Sequence, residues 1–154
     1  MRLVNKYYVF FLIPLLGMCG KKEETADTTN ASNAEPYHVV VQHILIGYDG
    51  APRLNVSRSL EDAKTLAYDI LERAKSGEDF EALSKEYSDD RPPGIYKLAN
   101  NGVTPDQTNG EYARGVMAKR FSDVSFSLKI SEFGIADQDS TESPFGWHII
   151  KRLE

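Results

Sequence analysis

Two of the three histidines of this 154-residue chain sit in short apolar runs far apart in sequence, Gln42-His43-Ile44-Leu45-Ile46 and Phe145-Gly146-Trp147-His148-Ile149-Ile150. Each run is bounded by turn or polar residues and reads as a buried strand, where an imidazole needs a hydrogen-bonding partner. If the two strands are neighbours in one sheet, the imidazoles can face and partner each other. Such a pair offers polar, hydrogen-bonding groups, and attack by a thiol is not open to it, because the single cysteine, Cys19, lies well outside both runs. The third histidine, His38, belongs on the opposite face from His43 or at the frayed start of the same strand. No His-x-x-x-His or Cys-x-x-Cys spacing accompanies the three, so no metal is expected.

The elements that must position the pair follow from hydrophobic periodicity. Tyr37 to Ile46 is almost continuously apolar and β-branched, as an interior strand requires, with Val39, Val41, His43 and Leu45 on one face. Gly47 to Ser59 carries the residues of a loop, including Arg53 and Arg58. Ser59 and Asp62 then open a helix whose stripe runs Ala63, Leu66, Ala67, Ile70, Leu71 and Ala74 until Gly77. Asp79 caps a second, shorter helix with Phe80, Leu83 and Tyr87 inward. From Ser88 to Gly115 Asp, Asn, Gly and Pro dominate, and only Ile95 to Leu98 reads as strand. Met117, Phe121 and Val124 mark a third helical stripe ending near Leu128. Phe133 to Ala136 and Phe145 to Lys151 read as final strands around the polar loop 137–143. Strands at both ends with helices between them give an α+β domain.

The N-terminal part is of another kind. Met1, Arg2 and Lys6 form a basic start, and the apolar run from Tyr7 to Met18 is about twelve residues, short of the ~20 that span a bilayer. Residues 1–18 therefore read as a signal peptide. Leu16-Gly17-Met18-Cys19 resembles a bacterial lipobox, with Met18 larger than the small residue usual before the cysteine; an ordinary secretory signal or an uncleaved anchor are the alternatives. On the lipobox reading Cys19 is lipidated, and residues 19–36, without a large apolar side chain before Pro36, form a disordered tether. The expected setting is a cell envelope, with residues 37–154 as one domain held to a membrane by lipid. A net charge of −5 argues against nucleic acid as the main partner.

From His43 onward the chain resembles the parvulin-type peptidyl-prolyl cis–trans isomerases. The resemblance rests on His43-Ile44-Leu45-Ile46, Gly77-Glu78-Asp79-Phe80 with Leu83 and Ser84, Tyr87-Ser88-Asp89-Asp90, Met117 with Phe121, Phe126-Ser127-Leu128 and Phe145-Gly146-Trp147-His148-Ile149-Ile150, in the family's order. It implies an FKBP-like superfold, a four-stranded antiparallel sheet covered by three to four helices. It also implies isomerase activity on Xaa-Pro bonds of unfolded or extended polypeptides. His43 and His148 match the family's paired active-site histidines, and Asp90 falls where its members carry Asp or Cys. Met117 and Phe121 match the apolar wall of the proline pocket, with Phe145 on the same surface. Ser143 matches a hydroxyl that joins the histidine network, and Leu98 stands for the pocket aliphatic. The barrier to prolyl rotation, about 18–20 kcal/mol, comes from lost amide conjugation. The reaction makes and breaks no bond, so no nucleophile, metal or cofactor is required.

The chain departs from the family in two places. The usual Gly-Gly-x-Leu-Gly before the pocket methionine is replaced by Pro93 to Gly102, with a longer connection to Met117. The loop after the first strand offers Arg53 and Arg58 where the phosphate-reading branch clusters basic residues, so no strong preference for phosphorylated substrates is expected, although Arg53 can favour an acidic residue before proline. Two functional classes follow: an isomerase, favoured by intact His43, Asp90 and His148, and a non-catalytic chaperone or peptide-binding module on the same fold.

Overall fold

A computed structural model describes residues 34–154. The predicted signal peptide, the predicted lipidation site Cys19 and residues 19–33 of the predicted tether lie outside the described residues. Glu35 and Pro36, assigned to that tether, are hydrogen-bonded to the domain through Arg114 and Asn100.

The apolar stretch after Tyr37 forms the central strand β1, His38–Ile46. It is followed by α1 (Leu60–Lys75), α2 (Phe80–Tyr87), β2 (Ile95–Ala99), β3 (Glu111–Ala113), α3 (Lys119–Ser127), β4 (Phe133–Ala136) and β5 (Trp147–Arg152), with short 3-10 turns at Gln107–Asn109 and Arg114–Val116. The helices start where the capping residues dictate. Ser59 accepts a hydrogen bond from the Asp62 amide and Asp79 from the Ala82 amide, each satisfying a donor that the first helical turn leaves free.

Among the described residues five strands make one sheet in the order β3-β2-β1-β5-β4. The first and last long strands of the domain are thereby neighbours: His43 pairs with Ile150 and Leu45 with His148 across an antiparallel ladder. Alternation splits the core in two. Ile44, Ile46, Trp147 and Ile149 turn to α1 and α2, while Val39, Val41, Leu98 and Ile150 turn to α3 and its Phe121 and Phe126. His43 and His148 are on the α3 side, and His38 is on the other.

The sheet has five strands rather than four, and it is mixed. β3 runs parallel to β2, with Leu98 opposite Tyr112. Strand propensity did not announce it, because local turn chemistry places it. The Asp106 carboxylate accepts from the amides of Thr108 and Asn109, the Glu111 amide bonds the Asp106 carbonyl, and Gly110 takes a left-handed φ of 68°. Helix α3 begins two residues after Met117, which is extended and stands before it. β5 begins at Trp147 rather than Phe145, since Gly146, at φ 138°, turns the chain into the ladder.

Candidate active site

The two imidazoles, two residue pairs apart along the β1–β5 ladder and on the same face, stack at 5.3 Å between centroids with Nδ1 to Nδ1 at 3.1 Å. Both are buried. The outer nitrogen of His43, Nε2, lies 3.1 Å from Asp90 Oδ2. That carboxylate also accepts from the Tyr96 hydroxyl at 3.2 Å and, through Oδ1, from the Arg91 amide at 2.7 Å. These donors, His43 first, hold Asp90 ionised down to about 2. Burial beside the carboxylate raises the Tyr96 phenol to about 12, so it stays a donor.

An ionised Asp90 requires a proton on His43 Nε2, and the Nδ1–Nδ1 contact then shares one proton between the rings. His148 stays neutral in this arrangement, because burial, reinforced by His43, lowers it from 6.5 to about 3. Its Nε2 is buried with no hydrogen-bond partner among the described residues.

The segment after α2 explains why Asp90 is there. Ser88 Oγ accepts from the amides of Leu45 and Asp90, and the Asp89 amide donates to the Leu45 carbonyl at 2.8 Å. Asp89 Oδ2 accepts from the Gly47 amide and pairs with Arg58, which also donates to the Gly47 carbonyl. Tyr87-Ser88-Asp89-Asp90 is thus sewn to the end of the histidine strand. On the other side the His43 amide donates to the Gly94 carbonyl at 2.9 Å. Gly94 cannot carry a side chain: a Cβ there would lie 2.5 Å from the His43 carbonyl oxygen at a φ of 65°.

Over this polar floor opens a cavity of about 290 Å³. Its lining is apolar in Met117, Ala118, Phe121, Pro52, Leu54, Phe145 and Leu45, and polar in Arg53 and in the hydrogen-bonded set of His43, Asp90, Tyr96 and His148. Phe121 is an edge partner of His43 at 5.3 Å.

Of the residues named from sequence, His43, Asp90, His148, Met117, Phe121 and Phe145 come together here. Leu98 and Ser143 do not. Leu98 is fully buried in the core behind the floor, and its place on the same face is taken by Tyr96, two residues earlier, which reaches Asp90. Ser143 is fully buried but donates to the Gly146 carbonyl at 3.0 Å rather than to an imidazole, since its backbone is pinned across the loop to Asp139. Sequence reasoning missed Tyr96 and Leu54; strand alternation from Leu98 could have found the first, while nothing in a polar loop marks the second. Arg53 lines the cavity and has no acidic partner among the described residues, whereas Arg58 is spent on Asp89. No group of three His, Cys, Asp or Glu side chains arranged to hold a metal occurs among the described residues.

The neutral burial of His148 has a measurable consequence. Between about 3 and 6.5 the unfolded chain binds a proton at His148 that the folded chain does not, so stability is complete above pH 6.5 and falls as pH drops through this window. The slope from this one proton is at most about 1.4 kcal/mol per pH unit. Asp90 acts in the same direction lower down, from 3.8 to about 2. Urea midpoints measured from pH 7.5 to 4 should fall, and His148→Leu should flatten the curve; an undiminished slope in that variant would assign the acid sensitivity to other groups.

Comparison with known proteins matches residues 25–154 to the family described as the PPIC-type PPIASE domain. Foldase protein PrsA 4 of Bacillus cereus is 35% identical over 100 residues, 65% of this chain and 31% of that protein. Foldase protein PrsA of Caldanaerobacter subterraneus subsp. tengcongensis is 40% identical over 90 residues, 58% of this chain and 25% of that protein. Chaperone SurA of Chromohalobacter salexigens is 30% identical over 143 residues, 92% of this chain and 27% of that protein. The chain therefore matches about a quarter to a third of the length of these relatives. A solved structure of Pin from the psychrophilic archeon Cenarcheaum symbiosum is 27% identical and covers 80% of this chain and 98% of its own, with a TM-score of 0.44.

Proposed function

The chain belongs to the PPIC-type peptidyl-prolyl isomerase family, and from that premise we propose that it accelerates cis–trans isomerisation of Xaa-Pro bonds in unfolded or extended polypeptides. The observation that carries this reading is the 3.1 Å imidazole pair, backed by Asp90, at the base of a cavity with an apolar wall. The wall of Met117 and Phe121, with Phe145, holds the proline ring and excludes water. The base presents hydrogen-bonding groups already oriented by one another, so they favour the polar, deconjugated amide over the planar one without reorganising. Uncatalysed, the step takes tens to hundreds of seconds, long enough to limit folding. The N-terminal sequence supports placing this activity on exported proteins in a bacterial cell envelope, with Cys19 as the lipid anchor. Labelled lipid incorporated into the chain and abolished by Cys19→Ser tests the anchor.

The decisive assay measures isomerisation of short Xaa-Pro peptides by the chain, with Glu, Ala, Leu and phosphoserine before proline. Acceleration establishes the enzyme. A folded chain that accelerates none of them is instead the peptide-holding module that the names foldase and chaperone among its relatives favour. Arg53 is the single cation at the cavity without an acidic partner among the described residues, so Glu is expected to exceed Ala by up to about fivefold, as for an exposed ion pair. Arg53→Ala should erase that difference, and phosphoserine should gain little over Glu because Arg58 is engaged elsewhere.

A further inference from the structure

Arg114 lies in the 3-10 turn Arg114–Val116, in the long connection where the chain departs from its family, and directly precedes the pocket wall. Its side chain is 12% exposed. The guanidinium donates from Nη1 to Glu35 Oε2 at 2.5 Å and to Asn100 Oδ1 at 2.9 Å, and from Nη2 to Asp123 Oδ1 at 2.8 Å. Its Cζ stands 4.7 Å from the ring centroid of Phe126. Asn100 closes the circuit by donating to the Pro36 carbonyl at 2.9 Å and to Glu35 at 3.3 Å. One cation thus joins the segment leading into β1, the residue after β2, the turn before Met117 and helix α3.

The turn is entered from the Ala99–Ala113 pair of β3 and left through Met117, which packs against the α3-side core, but its own last two residues are lightly packed among the described residues. Val116 is 70% exposed, and a Cβ on Gly115 would meet nothing within 4 Å. Met117 is extended and outside the helix, and its amide donates to the Arg114 carbonyl at 3.2 Å. Asp123 and Phe126 are on the helix that carries Phe121. The fork geometry of a guanidinium, shared between two carboxylates and an amide oxygen, fixes direction as well as distance, which a point charge would not.

We infer that Arg114 is a positioning residue for the Met117–Phe121 wall, and that Glu35, on the segment leading into the domain, sets that position, so that this segment tunes substrate affinity. The inference rests on the reading of the cavity as the proline pocket. Its signature is a change in binding with the polar base untouched.

The test uses the full chain, with KM and kcat for a short Glu-Pro peptide and calorimetric Kd for the same peptide. Arg114→Met is expected to raise KM and Kd about fivefold, the equivalent of one ordinary net hydrogen bond of about 1 kcal/mol, with kcat and its pH dependence unchanged. Glu35→Gln should raise both by a smaller factor, and the double variant should bind no worse than Arg114→Met alone, because the two residues act through one network. A lowered melting temperature with unchanged KM and Kd would overturn the inference, leaving the clasp a stabilising feature only. Additive losses would also overturn it. If Arg114→Met does not fold, Glu35→Gln decides. Absence of turnover in the unaltered chain would remove the isomerase reading, and the Kd comparison would still test the clasp.

Discussion

His43→Ala should lower kcat/KM for Xaa-Pro isomerisation on the order of a hundredfold, the usual cost of removing one preoriented polar group from a water-poor site. The reason is its place in the middle of the chain of hydrogen bonds. His43 touches Asp90 through Nε2 and His148 through Nδ1, and its ring packs against Tyr96 and Phe121. Its loss leaves His148 with neither ring nitrogen partnered and takes from Asp90 the donor that contributes most to keeping it ionised. The variant should also lose stability of about 1–3 kcal/mol through the orphaned groups, so turnover is compared at a temperature where both chains are folded. His148→Ala should fall in the same direction, and the double variant should be little worse than either single one, since the pair works as a unit. A His43→Ala chain that is folded and within threefold of the original rate would place the catalytic contribution outside the histidine pair.

Gly146→Ala should abolish or nearly abolish stable folding. At φ 138° a Cβ on residue 146 would lie 2.1 Å from the Ile46 carbonyl oxygen, 2.9 Å from the Ile46 carbonyl carbon and 3.0 Å from the Gly47 Cα. All three are backbone atoms of the opposing segment, so no side-chain rotation relieves the clash. The strand start must move off β1, and the adjacent Ile46–Trp147 pair and His148 move with it. Strain of this kind belongs to the rare class of substitutions that cost more than about 4 kcal/mol. Chemical denaturation should show a collapsed midpoint or no transition. Gly115→Ala is the control: its Cβ would meet nothing within 4 Å, so it should change stability little. Comparable loss in both variants would mean that the close approach at Gly146 is not the cause.

The comparison of sequence with structure is clearest along the histidine strands. Alternation put Val39, Val41 and His43 on one face, and the structure packs that face on α3. The capped starts of α1 and α2 were equally readable, because Ser59 and Asp79 act within three residues of themselves. β3 was not readable. Its three residues pair with β2 because the Asp106 turn and Gly110 aim the chain there, and a strand that short has no periodicity to detect. The pocket aliphatic failed for a related reason. Choosing Leu98 over Tyr96 required the depth of each along β2, and both share a face.

What the sequence determined by itself was local: which segments bury a face, where helices begin, and which residue types could supply a polar base and an apolar wall. That information resides in spacings of two to four residues, the range over which a backbone periodicity or a cap operates. The tertiary structure decided which distant groups meet. It brought His148 to His43 across 105 residues, recruited Tyr96 to Asp90, turned Ser143 away to Gly146, and tied Glu35 to Arg114 across 79 residues. Such contacts are set by strand order, register and loop closure, which sum over the whole domain, and no short stretch of residues contains them.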